Sequence, residues 1–272
     1  MMDLGWLLVV ELIALGTVTG FLAGLLGIGG GMMMVPFMTW ILASRGVDPG
    51  QAVKMAIATS MASILFTSLS SVRAHHARGA VRWDLLRSLA PGIVGGGLLA
   101  GAGLFAVLKG QGLALFFALF IGFSATQMLL DRKPKPSRQM PGPAGQTLVG
   151  GAIGLVSGLV GAGGAFVSVP FMTWCNVPIR QAVGTSAALG FPIALANTVG
   201  YLIAGRSVPP ALPGAVGYLY LPALVIVAAA SVSMAPIGAR VAHGTDVARL
   251  KRLFACLLFG LAAYMAWQSQ RS

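Results

Sequence analysis

Ten apolar stretches follow one another along this 272-residue chain, with short polar connections between them. They fall near residues 4–26, 30–43, 53–71, 88–108, 112–130, 147–163, 165–177, 182–204, 216–238 and 253–268. Such a chain has little left for a water-facing surface. Only 9% of it is charged and 57% is hydrophobic, where a soluble domain carries about 25% charged residues. In hydrocarbon every backbone polar group must bond within the protein, and for runs of this length that means helices. The expected fold is all-α, a polytopic membrane helix bundle sitting multi-pass in a bacterial inner membrane among its lipids.

The net charge of +12 is concentrated at three places. Arg73, Arg78, Arg82 and Arg87 form one group, Arg132, Lys133, Lys135 and Arg138 a second, and Arg240, Arg249, Lys251 and Arg252 a third. Basic clusters bordering apolar spans mark the cytoplasmic side and face anionic headgroups. This placement argues against nucleic acid as a partner. The first twenty residues carry Asp3 and Glu11 in place of a basic start, so they read as a first helix rather than a cleaved leader. Two cysteines, Cys175 and Cys256, are too few for a disulfide scaffold or a metal cluster, and no cofactor or metal is expected.

The two halves repeat. Gly24–Trp40 (GLLGIGGGMMMVPFMTW) aligns without a gap with Gly158–Trp174 (GLVGAGGAFVSVPFMTW). After eight extra residues in the first copy, Lys54–Ser60 aligns with Arg180–Ser186. The organisation expected is a first transmembrane repeat over 1–130, a basic cytoplasmic linker over 131–146 and a second repeat over 147–272. If the short stretches 30–43 and 165–177 cross, there are ten crossings, all three basic groups share one side and both termini lie on the other. Five segments per copy then invert the second copy relative to the first. Treating the short stretches as re-entrant gives eight crossings and parallel copies, and puts 240–252 on the wrong side for its charge. Ten is the expectation.

Each short stretch follows a glycine cluster: Gly27, Gly29, Gly30 and Gly31 in one copy, Gly161, Gly163 and Gly164 in the other. Short, glycine-interrupted hydrophobic pieces at corresponding places in two halves point to broken helices and a binding site. Orphan N–H groups and the positive dipole end at a helix start favour an anion. Close helix packing is the bland alternative. A dinucleotide fingerprint would need a strand–turn–helix context, which membrane-grade flanks do not give.

Other candidates also come in pairs. Pro36 and Pro170 kink the short helices and are candidate gating joints. Thr59, Ser60, Thr185 and Ser186 place hydroxyls where they either bond their own helix or reach substrate. Lys54 and Arg180 would stand at opposite mouths and draw an anion in, or merely snorkel. Asn197 needs a partner within its helix environment. Glu11, an acid within an apolar run, raises proton coupling. Tyr218, Tyr220 and Trp267 read as interfacial belt residues. No nucleophile, base and orienting acid come together, so an enzyme is not expected.

The duplicated Gly-x-x-Gly-x-Gly-Gly-Gly/Ala…Val-Pro block, followed by a Thr-Ser pair, resembles the sulfite exporter TauE/SafE family. The resemblance runs from about Leu4 to Trp267. It implies an inner-membrane permease that exports small sulfur-containing anions such as sulfite or organosulfonates. The family pattern falls on Gly24, Gly27, Gly29, Gly30 and Pro36, and on Gly158, Gly161, Gly163, Gly164, Pro170, Thr185 and Ser186. Ala165 stands where the first copy has Gly31. The expected function is a secondary transporter of a small anion, working by alternating access around the two broken helices. An anion channel, or a permease for another small solute, is the alternative. Exposed helix surface faces lipid and a second copy alike, so a homodimer stays open.

Overall fold

The computed structural model describes residues 5–26, 30–130, 137–241 and 247–271. It is almost wholly helical. In chain order the helices are α1 (Trp6–Leu26), α2 (Gly31–Ala43), α3 (Pro49–His76), α4 (Trp83–Val107), α5 (Gly110–Leu130), α6 (Pro143–Val160), α7 (Ala165–Trp174), α8 (Ile179–Ala204), α9 (Leu221–Val241) and α10 (Val247–Arg271). Between α8 and α9 lies one small antiparallel hairpin, β1 (Ala215–Val216) paired with β2 (Leu219–Tyr220).

Eight of these helices are long and apolar enough to cross a membrane. The exceptions are α2 and α7, with 13 and 10 residues. At 1.5 Å per residue they reach about 20 and about 15 Å, short of a hydrocarbon core of about 30 Å. The expected ten full crossings therefore become eight, with two half-length helices.

Both short helices nonetheless turn back along the helix before them. Arg45, just past the end of α2, pairs with Glu11 near the start of α1. Ser137 and Arg138, ahead of α6, donate their amides to the Trp174 carbonyl at the end of α7, 3.2 Å in each case. Chain direction thus alternates through all ten helices. Gly110 at the start of α5 packs on Gly50 at the start of α3, while Arg180 at the start of α8 reaches the Arg78 carbonyl past the end of α3. The turns at 77–82 and the described linker residues 137–142 lie at one end of the bundle. The connection 205–220 lies at the other.

Glycine stripes set the closest packing. A methyl group on Gly16 would lie 2.8 Å from the Val227 carbonyl oxygen, and one on Gly20 2.5 Å from that of Ser231. Gly150 and Gly154 lie in the same way against the carbonyls of Leu89 and Ile93. These contacts join α1 to α9 and α4 to α6, each pair running parallel. Glycines four residues apart make a flat groove along a helix, and dispersion across it supplies much of the association in lipid. The central pair, α3 and α8, is antiparallel and carries most of the buried polar side chains, including Thr59, Ser60, Thr185, Ser186 and Asn197. A π-helical turn at Leu99–Leu104 interrupts α4 where Gly101 packs on the Asn197 carbonyl and Gly200.

Candidate functional site

The two glycine clusters meet. A methyl group on Gly31, the first residue of α2, would stand 2.6 Å from the Gly161 carbonyl oxygen and 3.1 Å from Ala162 Cα. Gly27 and Gly29 lie outside the described residues. Gly30 precedes α2 and packs on the Thr19 carbonyl, partway along α1, so α2 starts well inside the bundle.

Between α6 and α7 the break is built on the left-handed backbone. Gly161 ends α6 at φ +69° and Gly164 opens α7 at φ +76°. Side-chain-bearing residues rarely adopt either conformation, and glycine does so freely. The space around Gly164 is full as well, since a methyl there would meet Ile193 Cδ1 at 2.5 Å and Ser157 Oγ at 3.0 Å. Gly163 is less confined, with Ile64 Cγ2 at 3.6 Å. The Ser157 hydroxyl is buried without a hydrogen-bond partner. It stands beside the start of α7, where the Ala165 and Phe166 amides have no acceptor one turn back.

The prolines lie within the short helices as read from the sequence. Thr39 and Thr173 donate to the carbonyls of Val35 and Val169, the residues just before the two prolines, at 2.8 and 3.0 Å.

The four paired hydroxyls are all engaged by protein groups. Thr59 Oγ1 accepts the Tyr220 amide at 3.1 Å, and Thr185 Oγ1 accepts the Arg82 amide at 3.0 Å. Tyr220 immediately precedes α9 and Arg82 immediately precedes α4, so each threonine satisfies an amide at the start of the other half's fourth helix. Ser60 donates to the Gly161 carbonyl at 3.1 Å, bracing the glycine break from α3. Ser186 shares a 2.7 Å hydrogen bond with Ser168 on α7.

The matched cations differ in their surroundings. Arg180 is exposed and donates to the Arg78 carbonyl at 3.1 Å. Lys54 is half-buried, its ammonium 5.3 Å from the Tyr218 ring centre and 5.5 Å from that of Phe105. Tyr218 and Tyr220 are buried in protein and do not stand in the headgroup belt as expected. The hairpin folds them inward, an outcome that adjacency to an apolar run could not reveal. Asn197 donates to Ile193 on its own helix and, at 3.4 Å, to Gly154 on α6. Its carbonyl oxygen has no partner.

A model of the sulfite exporter TauE/SafE family matches residues 12–265. The chain belongs to that family. It is 32% identical over 251 residues to a "Probable membrane transporter protein" of Haemophilus influenzae, covering 92% of this chain and 95% of the relative. A protein of the same description from Methanocaldococcus jannaschii is 25% identical over 269 residues, covering 95% and 96%. One from Bacillus subtilis is 29% identical over 241 residues, covering 79% and 83%. No solved structure matches. This TauE/SafE member is thus a multi-pass membrane transporter, as the sequence led us to expect, and the bacterial inner membrane suits its eight apolar helices.

Several residues of this TauE/SafE chain that build the site escaped the sequence reading. Ser157 lies outside the repeated block, and nothing in its spacing marks it. The Gly16/Gly20 and Gly150/Gly154 stripes did carry a signal, the four-residue glycine period, which the more conspicuous clusters overshadowed.

Proposed function

We propose that the chain carries a small oxyanion, of the sulfite or organosulfonate class, across the membrane by alternating access and leaves it chemically unchanged. The reading rests on one observation above all: Gly31, which opens α2, lies against Gly161 of the second glycine break. Both half-length helices begin inside the bundle from a glycine cluster, and helix starts free of side chains present N–H groups to an anion. The buried Ser157 hydroxyl adds a donor next to one of them.

Matched contacts support an inverted repeat as the frame for such movement. The threonine-to-amide bonds, the glycine stripes and the Thr39 and Thr173 bonds each occur once per half at aligned positions. Two similar halves in opposite orientation give two similar states, open to opposite sides. No nucleotide-binding motif occurs in the sequence, so gradients of the substrate or of an ion, protons included, supply the drive. Glu11 is engaged by Arg45, which makes it a tie between α1 and the turn after α2 rather than the leading proton carrier.

Counterflow in proteoliposomes tests the proposal. Vesicles preloaded with sulfite, sulfoacetate, thiosulfate, sulfate or acetate would be challenged with labelled sulfite, sulfoacetate or acetate. Saturable exchange confined to sulfur oxyanions is the expected result, abolished in Gly164→Val protein that still elutes as a monodisperse peak in detergent. Flux that neither saturates nor shows counterflow would replace the carrier with a channel. Exchange of acetate alone would overturn the substrate class.

A further inference from the structure

At the end of the bundle opposite the 77–82 turn, a cavity of about 620 Å³ opens between the start of α3, the turn joining α4 to α5, and the 205–220 connection. The charge rule places this end outside the cell. Lys54 and Lys109 both line the cavity, and Asp48 is the one acid in its lining. The Asp48 carboxylate accepts the Gln51 amide at 3.0 Å and caps α3, so part of its capacity is already taken. The Lys54 ammonium has no hydrogen-bond acceptor or ion-pair partner among the described residues, only the faces of Phe105 and Tyr218 beside it. Two aromatic faces position a cation without neutralising it. Burial raises the Tyr218 phenol above its ordinary pKa, and this keeps it a neutral hydrogen-bond donor in the cavity wall.

We infer that this cavity is an anion vestibule, in which Lys54 and Lys109 together take a small oxyanion bearing one or two charges on the outer side of the glycine crossing. The volume suits a small-molecule site, and two cations facing one engaged carboxylate leave an excess of positive charge. The other side is built differently: the matching cation, Arg180, is held by the Arg78 carbonyl, and the short turn at 77–82 replaces the hairpin connection. The vestibule rests on the anion-transport reading for the identity of its ligand.

Competitive acylation tests it. The whole protein in nanodiscs would be treated with acetic anhydride in a potassium gluconate background of fixed ionic strength, with sulfate or sulfoacetate added stepwise. The lysines at 54, 109, 133, 135 and 251 would then be quantified by mass spectrometry. Saturable, severalfold protection of Lys54 and Lys109, with the three lysines of the basic groups unchanged, is the expected result. Lys109→Met should weaken the protection of Lys54, and Gly164→Val should leave it intact while abolishing counterflow. No protection, or equal protection of all five, would overturn the vestibule. Counterflow without protection would refute the vestibule alone, and protection without counterflow of any oxyanion would refute the transport reading alone.

Discussion

Thr59 and Thr185 each hold a backbone amide of the opposite half, and both threonine side chains are buried. Replacing either by valine keeps the shape and leaves the Tyr220 or Arg82 amide without its acceptor. An orphaned buried donor costs about 1–3 kcal/mol. Thr59→Val and Thr185→Val should therefore each lower the detergent melting temperature, and the corresponding serine variants should recover most of the loss. Equal melting of wild type and both valine variants would show that water satisfies the amides instead. The sequence showed that these hydroxyls come in pairs, because alignment of the copies sets them in register. It could not show what they bond, since Tyr220 and Arg82 lie far along the chain and only tertiary folding brings them close. Gly161 and Gly164 were legible for a different reason: a left-handed backbone leaves a glycine requirement in the sequence itself.

Helix contacts carry the next level. The α1–α9 and α4–α6 pairs run so close at Gly20 and Gly154 that any side chain would meet backbone atoms of the neighbour. Backbone does not yield as a flexible side chain does. Gly20→Leu and Gly154→Leu should each separate a helix pair and reduce the yield of folded, monodisperse protein. Gly95→Leu or Gly122→Leu, at helical glycines with open space around them, should be tolerated. Size-exclusion profiles of the four variants provide the comparison. Element identity was largely legible, because long apolar runs in lipid have one outcome. Helix lengths were less so. The apolar stretch at 165–177 suggested a longer segment than the 10 residues of α7, because Trp174, Cys175 and Val177 are apolar yet belong to its end and the turn beyond. That turn is clasped by the linker: Arg138 lies 4.8 Å from the Trp174 ring centre and Asn176 donates to the Arg138 carbonyl.

For the whole molecule, alternating direction through ten helices puts the start of α1 and the end of α10 at the same end of the bundle, opposite the basic groups. A side-sensitive reporter fused to the C-terminus should register outside the cytoplasm, and a cytoplasmic signal would reverse that assignment. Charge patterning carried this much, since the bilayer reads basic residues by side. The cavity at the far end was not legible, because it depends on how the 205–220 connection folds over α3 and α5.

That connection has a consequence for the resting state. In a transporter assembled from two identical halves, the outward and inward forms would have equal energy, and neither would predominate without a ligand. Here one end of the bundle carries a hairpin connection over Lys54, which has no ion-pair partner among the described residues, and the other carries a short turn tied to Arg180. Under the alternating access proposed above, the two forms are then not mirror equivalents, and an energy difference of about 1.4 kcal/mol is enough to leave one of them tenfold more populated. Ten more residues at one turn than at its counterpart would then set which way the empty protein faces, and with it the side from which it first meets its cargo.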